Sequence, residues 1–191
     1  GGMGTMLQAA GLKLGARPEE LNITDPALIE GIHGQYAAAG SRIVNANTFG
    51  ASAHKLAGSA YTLEQVITAG IENCKRACAP YGALTALDVG PLGELLEPSG
   101  TLAFEDAVAE YARIVKAGEA AGADLIFFET YTDLYELKAA LLAAKENTHL
   151  PILASMSFEA GGRTFTGCTV ESFAATARGL GADAVGINCS L

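Results

Sequence analysis

Five short apolar runs, rich in β-branched and aromatic residues, recur along this chain at 42–47, 83–89, 124–129, 152–157 and 182–188, with helical patterns between them. This alternation constrains the fold more than any other feature. Runs of four to eight apolar residues read as strands covered on both faces, while stripes at three- and four-residue spacing read as helices covered on one. The helical patterns fall at 25–39, 62–79, 104–121, 134–145 and 170–179. The second carries Leu63, Val66, Ile67, Ile71 and Cys74 on one stripe, and the third carries Val108, Tyr111, Ala112 and Val115. The ends are marked as well. Thr24 is expected to cap a helix with Pro26 in its first turn, and Thr62 to cap the next, with Glu64 and Gln65 following. Gly40, Gly122 and Gly181 stand where a helix must turn back into a strand, a position that often requires a positive φ.

Strands alternating with helices imply parallel pairing through right-handed crossovers, in either an open doubly wound sheet or a closed eight-stranded barrel. Polar residues or glycines stand just beyond every strand, as Thr48-Phe49, Gly90-Pro91, Thr130-Tyr131, Phe158-Glu159 and Ser190, which suits a ring of functional loops on one rim. A barrel of this kind takes about 250 residues. With five strands in 191 residues and a sixth expected ahead of Gly1, the chain is expected to be an open sheet or a barrel short of roughly two βα units.

Composition narrows the function. Half of the residues are hydrophobic, enough for one domain with a sizeable core. A net charge of -9, without a basic run, argues against nucleic acid and against an anionic membrane as partners. No apolar stretch is long enough to span a bilayer, Gly1-Gly2-Met3-Gly4 does not resemble a signal segment, and four irregularly spaced cysteines fit a reducing compartment, so a cytoplasmic protein is expected.

The chemistry-bearing residues cluster at strand ends. Cys189 follows Asn188 at the end of the last strand and reads either as a small apolar plug or as one metal ligand, with partners still to be found because zinc needs three or four. Cys74 and Cys78 share a helix face and are expected to be buried there, and Cys168 reads as incidental. Glu129 ends an apolar strand, where an unpaired charge is costly; it is expected to meet either a Lys or Arg, or a substrate ammonium or proton. Gly1-Gly2-Met3-Gly4-Thr5 reads as a backbone cradle for an anion or as a tight turn into a helix. Asp88-Val89-Gly90-Pro91-Leu92-Gly93 reads as a turn, and His33, His54 and His149 as surface or helix-packing residues.

Taken in order, Gly1-Gly2-Met3-Gly4-Thr5-Met6-Leu7, Pro18-Glu19-Glu20-Leu21-Asn22, Ala46-Asn47-Thr48-Phe49-Gly50-Ala51 and Gly186-Ile187-Asn188-Cys189 resemble the landmarks of the homocysteine S-methyltransferase domain. The stretches 88–98 and 181–191 most resemble the amino-terminal module of cobalamin-dependent methionine synthases. The resemblance covers the whole chain and implies a (β/α)8 TIM barrel, here about strands 2 to 6 with their helices. It also implies a zinc ion held by three cysteines, of which Cys189 matches the first while an adjacent pair belongs beyond Leu191. Glu129 would bind the homocysteine ammonium, the Gly1-Gly2 loop with Thr48 and Phe49 would form the amino-acid pocket, and Asn188 would support the metal loop. The implied reaction is methyl transfer to homocysteine, giving methionine. Methylcobalamin would be the donor, carried on another domain of a polypeptide that also binds folate. A free-standing enzyme using betaine or S-methylmethionine is the alternative, and an inert fragment of either is a third reading.

Overall fold

The computed structural model describes residues 2–13 and 15–190; Gly1 lies outside the described residues. Helix α1 (Met3–Ala9) opens the chain, and the short α2 (Leu21–Thr24) leads into α3 (Pro26–Ala38). Then follow β1 (Ile43–Asn45), α4 (Leu63–Cys78), β2 (Leu84–Val89), α5 (Phe104–Ala120), β3 (Leu125–Tyr131), α6 (Leu134–Asn147), β4 (Ile152–Met156), α7 (Val170–Gly179) and β5 (Ala184–Ile187). All strand pairs are parallel, in the order β1-β2-β3-β4-β5.

That order decides between the two architectures. A doubly wound sheet reverses its strand order at a switch point and covers both faces with helices. Here the order never reverses, and α3 packs on α4, α4 on α5, α5 on α6 and α6 on α7, so the helices form one outer layer. The chain is an α/β arc of a (β/α)8 barrel and covers part of that barrel.

Side-chain alternation along each strand then divides core from site. On β2, Leu87 points at the helices and meets α5 at Gly118, where a β-carbon would lie 2.4 Å from Leu87 Cδ2. Asp88, the next residue, therefore points to the inner face. On β3, Ile126 and Phe128 join the helix-side core, Phe128 packing edge-on against Tyr111 of α5. Glu129 faces inward.

Gly40, Gly122 and Gly181 take φ of 100°, 86° and 86°, as the returns from helix to strand require. Thr62 caps α4 in a reciprocal capping box with Gln65. The first cap is corrected by one residue: Asp25, not Thr24, accepts from Leu28 N at 3.2 Å, and Thr24 instead ends α2 with its hydroxyl on Glu20 O. Within the described residues no helix is long and apolar enough to cross a membrane.

Candidate active site

The carboxyl ends of β2, β3 and β5 meet around a cavity of about 600 Å³ lined by Gly2, Glu19, Phe49, Asp88, Glu129, Thr130 and Cys189, among others. Such a volume suits a small ligand. Each of the three strands delivers its polar residue by a different device.

On β3 the ladder to β4 slips between Phe128 and Tyr131, and Thr130 takes a φ of 65°. A β-branched residue in that region is held there by its surroundings. The constraint is Asn188, whose Oδ1 accepts from Thr130 N at 3.0 Å and from Ser155 Oγ at 2.9 Å. Because Oδ1 takes these two donors, the amide nitrogen faces the other way. Asn188 Nδ2 donates to Glu129 Oε2 at 2.9 Å and to Thr130 Oγ1 at 2.8 Å. Glu129 is thus held as an acceptor.

Cys189 follows with a φ of 49°, exposed on the cavity wall, its sulfur 3.6 Å from Asn188 Nδ2 and 3.8 Å from Thr130 Oγ1. The turn that carries it is clamped from the segment just after β4: Ser157 Oγ donates to Asn188 O at 3.0 Å, and Phe158 N donates to Ser190 Oγ at 2.9 Å. Asp88 of β2 is held by Thr48 of the segment after β1, which sits behind the wall and binds the Asp88 backbone twice, donating to its carbonyl at 2.8 Å and accepting from its N–H at 3.1 Å. Phe49 forms wall next to it, its ring so close to Gly90 that a β-carbon there would lie 2.5 Å away. Gly2 borders the cavity as the N-cap residue of α1, and Met3, Gly4 and Thr5 already lie in the helix.

The electrostatics are acidic. Among the described residues the ion pairs are Arg17–Glu20, His54–Glu94, Arg76 with Glu30 and Glu72, and Arg113–Glu64, so no Lys, Arg or His pairs with Asp88 or Glu129. Burial holds the Asp88 carboxyl well above the usual carboxylate range, and the adjacent Glu129 charge raises it further. Burial also raises the Glu129 carboxyl, with the Asp88 side chain opposing the shift. Glu19, which borders the same space, accepts from Gly50 N at 2.7 Å.

The structure therefore brings Gly2, Phe49, Glu129, Asn188 and Cys189 together, with Thr48 one layer back. Cys74 and Cys78 are buried in the helical layer with sulfurs 3.8 Å apart, and Cys168 is partly buried in the loop after β4. His33 is buried on α3, while His54 lies on the surface against Glu94 at 2.6 Å. Asp88 and Thr130 escaped the sequence reading as site residues. Asp88 carries the same signal that marked Glu129, a carboxylate near a strand end, but its glycine-rich neighbours read as a turn. Among the described residues no three His, Cys, Asp or Glu side chains gather into a metal-binding group.

Comparison with known proteins places the chain in a family. The family model described as homocysteine S-methyltransferase matches residues 1–191. The chain belongs to this family. It is similar to the methionine synthases of Mycobacterium tuberculosis, 30% identical over 210 aligned residues, and Mycobacterium leprae, 31% over 212. Both alignments cover all of this chain but 17% of the relative, so the domain spans about a sixth of those proteins. The metallated homocysteine methyltransferase MmuM from Escherichia coli superposes with a TM-score of 0.87 at 23% identity, over 98% of this chain and 72% of that one, which supports the barrel fold.

Proposed function

We propose that this domain binds homocysteine in the cavity and presents its thiol for methylation to methionine, as the homocysteine-binding part of a cobalamin-dependent methionine synthase. The observation that carries the reading is the Asn188 amide, whose Nδ2 donates to Glu129 Oε2 and lies next to the Cys189 sulfur. An amino-acid ammonium is the natural guest for a carboxylate with no basic side chain paired to it among the described residues, and Phe49 and Gly2 border the space for the rest of the molecule. The whole-chain identity to mycobacterial methionine synthases favours a methylcobalamin donor on another domain, together with folate binding elsewhere in the polypeptide. A free-standing enzyme using betaine or S-methylmethionine has the fold likeness to MmuM behind it.

Zinc fits one feature of this site. Cys189 is an exposed sulfur on the cavity wall, and its two nearest polar neighbours, Thr130 Oγ1 and Asn188 Nδ2, can both donate to a thiolate. A catalytic zinc takes three protein ligands. Cys189 would give one, and residues outside those described would give the others. When bound, the metal supplies Lewis acidity that keeps a substrate thiol, with a free pKa of about 8.5, as thiolate at neutral pH. The chain's own contribution is orientation: Glu129 fixes the ammonium end, and the clamped 188–190 turn fixes the sulfur end.

The test uses the full-length natural polypeptide. Glu129→Ala should weaken homocysteine binding with zinc content unchanged, and Cys189→Ser should lower zinc content by elemental analysis. Full zinc retained by Cys189→Ser would reject the metal assignment. Methyl transfer from betaine or S-methylmethionine, with none from methylcobalamin, would move the domain to the free-standing class.

A further inference from the structure

We propose that Asp88 is a positioning residue whose carboxyl keeps its proton and donates it to Glu129, so that the two acids together present a single negative charge to the substrate ammonium. The ammonium rests on the homocysteine reading above; the shared proton does not.

The geometry begins with Asp88 itself. It is 7% exposed, and its Oδ1 is buried with no hydrogen-bond partner. Its backbone is pinned on both sides by the Thr48 hydroxyl, so the side chain cannot withdraw to find water. On the neighbouring strand Asp88 pairs in register with Phe127, so Glu129, two residues further on, is its diagonal neighbour on the same inner face and lines the same cavity. Two ionised carboxylates in that position, with Glu19 bordering the same cavity and no basic side chain among the described residues paired to either, would repel strongly in a low-dielectric setting, and the usual resolution is one proton between them.

The surroundings say which acid holds it. Glu129 accepts from Asn188 Nδ2, whose direction is set by the Thr130 N–H on the other side of the amide. Glu129 is also the more exposed of the two, so its charge is the better solvated. Asp88 Oδ1 lacks a donor, which suits an oxygen that carries a hydrogen of its own. A protonated Asp88 and the Asn188 amide then grip Glu129 from two sides through charge-assisted bonds, which are shorter and stronger than neutral ones. The consequence is a carboxylate fixed in direction, with a charge matched to one ammonium.

Asp88→Asn and Asp88→Ala in the full-length protein separate this role from an anionic one. Asparagine keeps a donor of the same shape but cannot ionise. Asp88→Asn should keep the homocysteine KM within about threefold of wild type, while Asp88→Ala should raise it roughly tenfold or more with kcat less affected. If Asp88→Asn is impaired as severely as Asp88→Ala, Asp88 acts as an anion and the proposal fails. If Asp88→Ala behaves as wild type, it fails also. Infrared difference spectroscopy of the substrate-free protein reads the proton directly: a protonated-carboxyl C=O band should be present in wild type and absent from Asp88→Asn. Its absence from wild type overturns the shared proton whatever the cavity binds. Its presence in a wild-type protein that does not take homocysteine upholds the shared proton and overturns the substrate assignment instead.

Discussion

Every polar atom of the Asn188 side chain is engaged, and that one residue ties together the ends of β3, β4 and β5. The same economy is absent at His33, which is buried on α3 with Nε2 unpartnered. Burial lowers its pKa from 6.5 to about 4, with Glu30 opposing the shift in part. The sign follows directly. Between those two pH values the unfolded chain binds a proton that the folded chain excludes, so stability rises with pH across the window and is lost on acidification. Between pH 7 and 4.5 this one group should cost the domain about 2 kcal/mol. Urea denaturation at the two pH values should therefore show a fall in wild type about 2 kcal/mol larger than in His33→Gln, which cannot be protonated. Equal falls would show that another group governs the acid limb.

The strands hold their polar residues in place because the helices behind them fit closely, and one close approach is that of Gly118 on α5 to Leu87 on β2. Gly118 allows Leu87 to lie directly on the helix, and this sets the height of Asp88 on the opposite face. Gly118→Ala drives a methyl group to 2.4 Å from Leu87 Cδ2 and should destabilise the domain by about 1–3 kcal/mol. Pairing it with Leu87→Val, which shortens the opposing side chain, should recover part of that loss. Purely additive effects in thermal melts would show that the two residues do not compete for the same space. At this scale the sequence was informative, because helix stripes and strand runs are local: α4 and α7 lie where the periodicity put them, within a residue at each end. The departures have tertiary causes. β3 runs on through Thr130 to Tyr131 because Asn188, 58 residues away, captures the Thr130 N–H, and no local pattern encodes that bond. Glu129, Asn188 and Cys189 were legible as polar residues ending apolar strands, whereas Asp88 was hidden by the turn-forming glycines after it.

The arc as a whole has one covered face and two exposed borders. On β5, Val185 and Ile187 are paired in register with Ala154 and Met156, so they point to the helical layer, yet they are 47% and 54% exposed. α7 packs against β5 yet leaves both side chains half exposed, and beside them β5 ends the described sheet order, its outer edge without a strand partner among the described residues. An apolar edge of this kind recruits other chains. The isolated 191-residue domain should therefore self-associate in sedimentation velocity as its concentration rises, and Val185→Glu with Ile187→Glu should shift it toward monomer. In the full-length polypeptide the same pair of substitutions should act in the opposite sense. If a further element covers β5 there, burying two carboxylates against it would lower thermal stability, by several kcal/mol on the cost of burying unpaired charge. An isolated domain that stays monomeric at high concentration, or a full-length protein indifferent to the two glutamates, would show that this border is solvated by design and not an interface awaiting the rest of the barrel.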